Sequence, residues 1–488
     1  MDENKSTFTK QLKKFYDNKL LGSSGSYIDS YSTSSQEYTL EDVKEIISGN
    51  SYTNQQTLSY YFYKRDGFYR RIVLYYATLL NYTGILIPNP NYGKKLSETY
   101  IQKRYFQAVE YIDKLNLSEF FANISTEILV SGAYYGVITE ANKQSLSIVG
   151  LPTRYCRSRF TDFAGNDIIE FDISYLNTFS SDPKREEILE SYPDIIRNYY
   201  QQYREGKIKN RWVTLPSSIG FTFSFFDEKT PLFLSTIPAI MQYENTVEVE
   251  QERALEEIRK IIVQKIPHTN DGELLFEPPE AEVMHKGVVQ MLKNNPYLSV
   301  MTTYADVDSV TSKTTSENVS HSIEKMSQNV YGEAGVSSFL FAPTSAQALK
   351  SSITNDISLM MALGDQYSRF LTNIVNALFG NSNIRMSYKI LPISLYNQDE
   401  YITNSMKLAQ SGYSFLLPAL AMGLSQHELV NVKDLENTLL NLQEKLVPLA
   451  SSYTQSSKES DDVGGAPKKD VDKKADKTIA NEKSLEEK

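Results

Sequence analysis

The sequence predicts a mainly α-helical fold with small β regions, an α+β chain, and three observations carry that prediction. Apolar residues recur at helical spacing over long stretches, residues 238–266, 314–331 and 345–379. Short runs rich in β-branched and aromatic residues, punctuated by Gly and Asn, collect in a patch after Ala133. The balance of 41% apolar and 23% charged residues is that of a globular protein, and 488 residues exceed what one compact core needs.

In chain order, residues 1–36 are rich in Ser, Tyr, Asn and Lys without periodicity and read as an extended arm. Residues 38–49 read as a helix capped by Thr39, with Glu41 and Asp42 in the first turn, where the helix dipole favours acids. Ile72, Tyr75, Tyr76, Leu79 and Leu80 mark a helix over 67–82, and Pro88 and Pro90 break the chain after it. Helices are predicted over 96–115 and 117–130, then short strands over 134–139, 145–149 and 168–175. Helix returns over 186–202 and strand over 211–226.

The stripe Ile240, Val247, Leu255, Ile258 and Ile262 predicts one helix over 238–266, acidic at its start, basic near its end and stopped by Pro267. Residues 268–312 form a mixed insert, with a short helix over 281–293 and a strand-like stretch over 298–310. Thr314 and Glu317 make a capping-box pair for a helix striped by Val319, Ile323, Met326 and Val330 and ended by Gly332 and Gly335. After a loop over 336–343, a long helix runs over 345–379, with a kink expected at Gly364. A strand over 384–393 and shorter helices over 399–447 follow. Residues 454–488 hold no aromatics and many charges; such a tail cannot offset its ordering entropy and is expected to be disordered.

The composition excludes several functions. Net charge is −10, so the chain lacks the basic surplus that grips DNA by displacing counterions. An acidic wall past which DNA slides remains compatible with that charge, because it repels phosphate. The single Cys156 permits no intramolecular disulfide, fits a reducing cytoplasm, and reads as a small buried hydrophobe. Residues 1–19 lack the apolar core of a signal peptide. The most apolar run, 415–424, contains Pro418 and falls short of the roughly 20 residues of a membrane span, so no membrane partner is expected. No P-loop exists, since Gly93-Lys94 has Pro88, and Gly206-Lys207 has Gln201, where the first glycine must stand. His268, His285, His321 and His427 are far apart, so no metal, cofactor or catalytic set is expected. The 34 tyrosines against one tryptophan suit large, partly wet contact surfaces.

Two features have a bland and a sharp reading. The acidic face Glu244, Glu248, Glu252 and Glu256 is either a solvated helix face or the wall of a channel built from several copies. The loop residues Phe339, Leu340 and Phe341 either pack in a core or project into a lumen.

Short stretches resemble one family. Leu151-Pro152-Thr153-Arg154-Tyr155-Cys156-Arg157 and Glu170-Phe171-Asp172-Ile173-Ser174-Tyr175 are similar to the wing of portal proteins from tailed bacteriophages of Gram-positive hosts. Gly335-Val336-Ser337-Ser338-Phe339-Leu340-Phe341, with Ser351-Ser352-Ile353-Thr354-Asn355-Asp356, resembles their tunnel-loop region. Pro448-Leu449-Ala450-Ser451-Ser452-Tyr453-Thr454, with Gly465-Ala466-Pro467-Lys468-Lys469, resembles their C-terminus. The resemblance covers about residues 38–469, each motif being weak alone and informative through order and spacing.

Beyond the arm (1–36), which it does not cover, the resemblance implies a wing (37–237), a first stem helix (238–267), a clip (268–313) and a second stem helix (314–336). It then implies a tunnel loop (337–344), a tunnel helix (345–380), a strand returning to the wing (381–398), crown-like C-terminal helices (399–453) and the tail (454–488). It implies a homo-oligomeric ring, usually of about twelve subunits, at one capsid vertex of a virion assembled in the host bacterial cytoplasm. Double-stranded DNA would pass through without sequence specificity. The terminase large subunit, the major capsid and scaffolding proteins, and head-completion, adaptor or tail proteins would be the partners. Phe339, Phe341, Thr344, Ser345, Gln347 and Lys350 would approach the DNA, and Glu273, Glu277, Glu280 and Glu282 would meet the motor or adaptor. The alternatives are another connector or upper-collar ring, and a helical hydrolase using paired carboxylates.

Overall fold

The computed structural model describes residues 38–442 except 91–96, 164, 180–181, 226–228, 259, 266–276, 293–297, 304–316, 337–345 and 382. The predicted arm, tunnel loop, Thr314 cap and tail lie outside the described residues.

The fold is mostly helical with small, mainly antiparallel sheets, as predicted. Helix α1 (Leu40–Ser48) opens on the predicted cap: Thr39 Oγ1 accepts from the Asp42 N–H, and the Asp42 carboxylate accepts from the Thr39 N–H. Helix α2 (Tyr52–Arg65) was not legible as a periodic stripe. It buries Gln55, Gln56, Ser59 and Tyr60 as well as Leu58 and Phe62, and ties the polar ones down by individual hydrogen bonds, leaving Gln55 Oε1 among them without one. Gln56 donates to the Ser131 carbonyl at 2.9 Å, and the Ser59 and Tyr69 hydroxyls meet at 2.7 Å. Helix α3 (Gly67–Ala77) is capped by Asp66.

Strand β1 (Gly84–Pro90) pairs antiparallel with the late strand β10 (Ile384–Ile390). Pro88 and Pro90, expected to break the chain, instead sit within this strand, and α3 has already ended at Ala77. A two-stranded ladder tolerates Pro, because one edge of the strand needs no N–H donors. Helices α4 (Glu98–Asp113) and α5 (Leu117–Ser131) follow as predicted, within a residue or two.

The patch after Ala133 forms two three-stranded sheets. One has the order β3-β2-β7, from β2 (Ala133–Ala141), β3 (Leu146–Leu151) and β7 (Gly220–Ser224). The other has the order β4-β5-β6, from β4 (Cys156–Thr161), β5 (Asp167–Asp172) and β6 (Trp212–Leu215). The single helix predicted over 186–202 is two, α6 (Asp182–Ser191) and α7 (Asp194–Arg204), because Pro193 starts a new helix. The strand predicted over 211–226 is likewise two, turned at Pro216.

The largest departure lies in the helix predicted as the first stem helix. The helix predicted over 238–266 ends at Ile258: α8 covers Ile237–Ile258, and Lys260–Lys265 is strand β8. The run Ile261, Ile262 and Val263 favours extended backbone over a helical stripe. Strand β8 pairs in parallel with β9 (Leu298–Thr303), and helix α9 (Pro278–Leu292) supplies the crossover that a parallel pair requires. The insert is therefore a small βαβ unit.

Helix α10 (Glu317–Glu333) returns and packs on α8. Helix α11 (Ala346–Leu378) runs unbroken through Gly364, where a Cβ would meet the Met361 side chain at 3.2 Å and Ile390 at 3.7 Å. The helix is therefore not broken at this glycine, and the nearest neighbour of the position is the Met361 side chain of the same helix. The C-terminal helices are α12 (Gln398–Gln410), α13 (Leu416–Ala421) and α14 (Gln426–Asp434).

A large core joins α1–α5, β1, β10 and α11 with parts of α8 and α10. A second core joins the β4-β5-β6 sheet and α6–α7, through Ile169, Phe171, Val213, Ile188, Ile196 and Tyr200, with Tyr135, Val137 and Val149 of β2 and β3. A third, smaller one sets Leu420 and Ala421 of α13 against Leu391 and Ile393. Residues up to Leu429 form one compact unit. In the second unit, from Val430, Lys433 pairs with Glu436 at 3.2 Å.

Candidate functional site: the stem and the long helix

Helix α8 places its carboxylates at i,i+4 spacing along one face, where like charges repel and lower helix stability. Glu248 and Glu252 are exposed. The Glu256 side chain lies outside the described residues. Glu250, off this stripe, pairs with Arg253 at 3.1 Å.

Glu244 is more than an exposed acid, because its carboxyl lies close enough to that of Asp66 for the two to interact. Asp66 is 7% exposed and accepts from the Tyr69 N–H as the cap of α3. Beside this joint, Phe68 of α3 packs against Tyr243 of α8 at 5.0 Å and Tyr331 of α10 at 5.9 Å. Burial raises both acids above the ordinary carboxylate range, and Glu244 is raised further by the Asp66 charge. Two carboxyls share a hydrogen bond only while one holds a proton.

The raised values set the pH dependence. Stability from this joint is complete below the ordinary carboxylate range and is lost as pH rises through the raised values. Glu244→Gln supplies an amide donor at every pH. It is expected to raise stability at pH 7 by about 0.5 kcal/mol, a figure reduced for screening at the exposed Glu244, with no gain below about pH 4. Denaturant titrations of both chains across that range check it.

A second acid joins α3 to the long helix. Asp356 of α11 is 1% exposed and accepts from the Tyr75 and Tyr76 hydroxyls at 2.9 and 3.1 Å. Burial raises its carboxyl above the usual range, offset in part by the two phenols. Helix α3 is thus tied to the stem at its start and to α11 further along.

Of the residues expected to approach DNA, Phe339, Phe341, Thr344 and Ser345 lie outside the described residues, as does the Gln347 side chain. Lys350, in the first turns of α11, is half exposed and pairs with Glu400 of α12 at 2.8 Å. Its charge is therefore compensated within the chain.

In the insert, Glu273 lies outside the described residues. Glu277 and Glu280 stand at the start of α9, where the Glu280 carboxylate accepts from the Glu277 N–H at 3.3 Å. Glu282 pairs with Lys286 at 2.6 Å, which holds its carboxyl below the usual range. Val283, Met284, Val289 and Met291 of the same helix are exposed.

One grouping has the residue types of a hydrolase without its wiring. Ser425, Asp113 and His427 meet beside a cleft of about 400 Å³. The Ser425 hydroxyl donates to Asp113 Oδ2 at 2.8 Å, and His427 Nδ1 stands 3.8 Å from the same carboxylate oxygen. In a nucleophilic relay the imidazole must accept the serine proton. Here Ser425 caps α14, exchanging hydrogen bonds with Glu428 at 2.8 and 3.2 Å. Among the described residues no group of three His, Cys, Asp or Glu side chains converges as metal ligands, and no helix is long and apolar enough to cross a membrane.

The sequence analysis missed Asp66, Tyr75, Tyr76 and Asp356 as joint residues. A polar residue inside an apolar stripe, such as Asp356 between Ile353 and Ile357, was the available signal.

No protein-family model and no curated protein matches the sequence. Among solved structures, the chain is similar to one from the neck of an empty GTA particle computed with C6 symmetry, at 10% identity and a TM-score of 0.42, covering 76% of this chain and 94% of that one. It is similar to a chain from the neck of a native GTA particle computed with C12 symmetry, at 12% identity and a TM-score of 0.40, covering 76% and 93%. A third similar chain comes from the virion of a native gene transfer agent (GTA) particle, at 9% identity and a TM-score of 0.39, covering 77% and 89%.

Proposed function

We propose that this chain is a ring-forming portal subunit of a tailed phage or phage-like particle. The ring stands at one capsid vertex, admits the genome during packaging by the terminase motor, releases it at ejection, and docks head-completion or tail proteins. The observation that carries this reading is the order of elements around the stem. Two helices, α8 and α10, pack on one another and flank a βαβ insert, and a 33-residue helix follows directly. A lone domain has little use for a compact insert carried on a helix pair. A ring subunit uses it as the part that reaches a docked partner, with α9 presenting its exposed Val283, Met284, Val289 and Met291.

The electrostatics support the same reading. DNA must pass without sticking, so the wall carries acids at Glu248 and Glu252 and compensates the cation at Lys350 with Glu400. The sequence resemblance to portal proteins adds the expected partners: capsid, scaffold, terminase and adaptor. Native mass spectrometry of the purified chain tests the assembly. A closed oligomer of about twelve copies is the expected result, and a monomer or dimer at every concentration sinks the reading.

A further inference from the structure

The second core belongs to a lobe that carries an arginine-bearing sheet face and, on a separate surface, an acidic face of α6. The sheet is β4-β5-β6. Its inner side buries Ile169, Phe171, Val213 and Leu215 against α6 and α7. Strand alternation therefore turns Arg157, Glu170, Asp172 and Trp212 to the outer side.

On that side the carboxylates are covered and the guanidiniums are not. Arg157 reaches Glu170 at 2.7 Å, and Arg159 grips the same carboxylate with two bonds of 2.8 Å. Arg211 lies 3.2 Å from Asp172, and the Arg157 guanidinium stacks 3.7 Å over the Trp212 ring. The Glu170 and Asp172 side chains are 10% and 8% exposed, against 36%, 53% and 57% for Arg157, Arg159 and Arg211. The layer presented to a partner is cationic. The adjoining hairpin tip holds Phe160 and Phe163 at 59% and 105% exposure. Arginines beside exposed aromatics are the residue types over-represented at binding hot spots.

Helix α6 has the reverse sign, whereas α7 beside it is mixed, with Arg197 paired to Asp194 and Arg204 exposed. Helix α6 turns Ile188 inward and exposes Glu186, Glu187 and Glu190. Its Arg185 is committed to the carbonyls of Leu176 and Phe179, at 3.0 and 2.7 Å. The face that α6 shows to solvent is anionic.

We propose that this lobe is a lateral connector between copies of the chain: the guanidinium face of one copy docks on the Glu186–Glu187–Glu190 face of the next. The proposal rests on the ring reading above and names the surfaces that would close the ring. Patches of opposite charge on separate surfaces of one lobe favour head-to-tail contact, which generates rings. A two-fold contact through either face would set like charges against each other, so the same pattern disfavours closed dimers.

The test is the assembly midpoint of the full chain, measured by sedimentation and mass photometry over a range of concentrations. The variant is E186K/E187K/E190K. Its three side chains are exposed, so the fold is expected to survive, and circular dichroism and the melting temperature check that it does. The control is the same charge change elsewhere on the surface, E41K/E45K/E98K. The reversed α6 face is expected to raise the midpoint at least about tenfold and to weaken its dependence on salt, while the control shifts it far less. Wild-type rings that persist unchanged in the α6 variant overturn the lateral contact and leave the ring reading standing. An equal shift in the control also overturns it, because net charge alone then governs assembly. A wild-type chain that never associates overturns the ring reading and this contact together.

Discussion

Replacing Tyr367 with Ala is expected to cost about 3–5 kcal/mol of unfolding free energy. Tyr367 is fully buried on α11. Its ring stacks on Phe121 of α5 at 4.2 Å and 11°, and meets Phe223 of β7 edge-on at 4.8 Å. Its hydroxyl bonds Ser125 at 2.9 Å, and Ser125 bonds Tyr82 at 2.8 Å, which donates to the Ala77 carbonyl. The substitution removes the ring that joins the long helix to α5 and β7, and leaves Ser125 short of a partner. Tyr367→Phe keeps the ring and loses only the hydroxyl, so about 1–2 kcal/mol is expected. Denaturant unfolding followed by near-ultraviolet circular dichroism separates the two. Equal losses in both variants would mean that the hydroxyl chain, rather than the ring, holds this junction.

Gly132→Ala is expected to be at least as severe, at more than about 3 kcal/mol, with the chain recovered mainly as insoluble protein. Gly132 ends α5 in the left-handed conformation, φ +86°, and its N–H donates to the Ile128 carbonyl at 2.7 Å. A Cβ there would stand 2.0 Å from the Lys229 carbonyl oxygen, a backbone atom that cannot swing aside. Gly165 makes the contrast. It has φ +79° at the β4–β5 turn with open space around its Cβ position, so Gly165→Ala carries only the left-handed penalty of about 1–2 kcal/mol. Soluble yield and melting temperature of the two variants check the difference. A soluble, near-native Gly132→Ala would show that the α5–β2 junction yields more readily than this geometry allows.

Long elements with one apolar stripe were legible in the sequence, because one buried face imposes the helical period. That holds for α3, α10 and α11, while α1 was marked by its Thr39 cap and α4 and α5 were read with mixed faces. Helix α2 escaped because it is buried on several sides and spends Gln55, Gln56 and Ser59 on individual hydrogen bonds. The end of α8 was misplaced because Ile258 and Ile262 continue the helical stripe, while Ile261, Ile262 and Val263 together favour a strand. Pairing decided it: β9, more than thirty residues later, offers a parallel partner. The acid stripe of the stem was visible as spacing. The buried joints were not, since partners such as Tyr75 and Asp356 stand 281 residues apart and only the fold brings them together.

The central claim is that copies of this chain enclose a channel walled by the stem. The most direct measurement is a cryo-electron microscopy map of the purified, assembled chain. The account predicts a ring with an open centre, with Glu248 and Glu252 of α8 turned toward the opening and the insert projecting at one end. A ring whose opening is lined instead by the α6–α7 lobe, or an assembly with no opening, would contradict it.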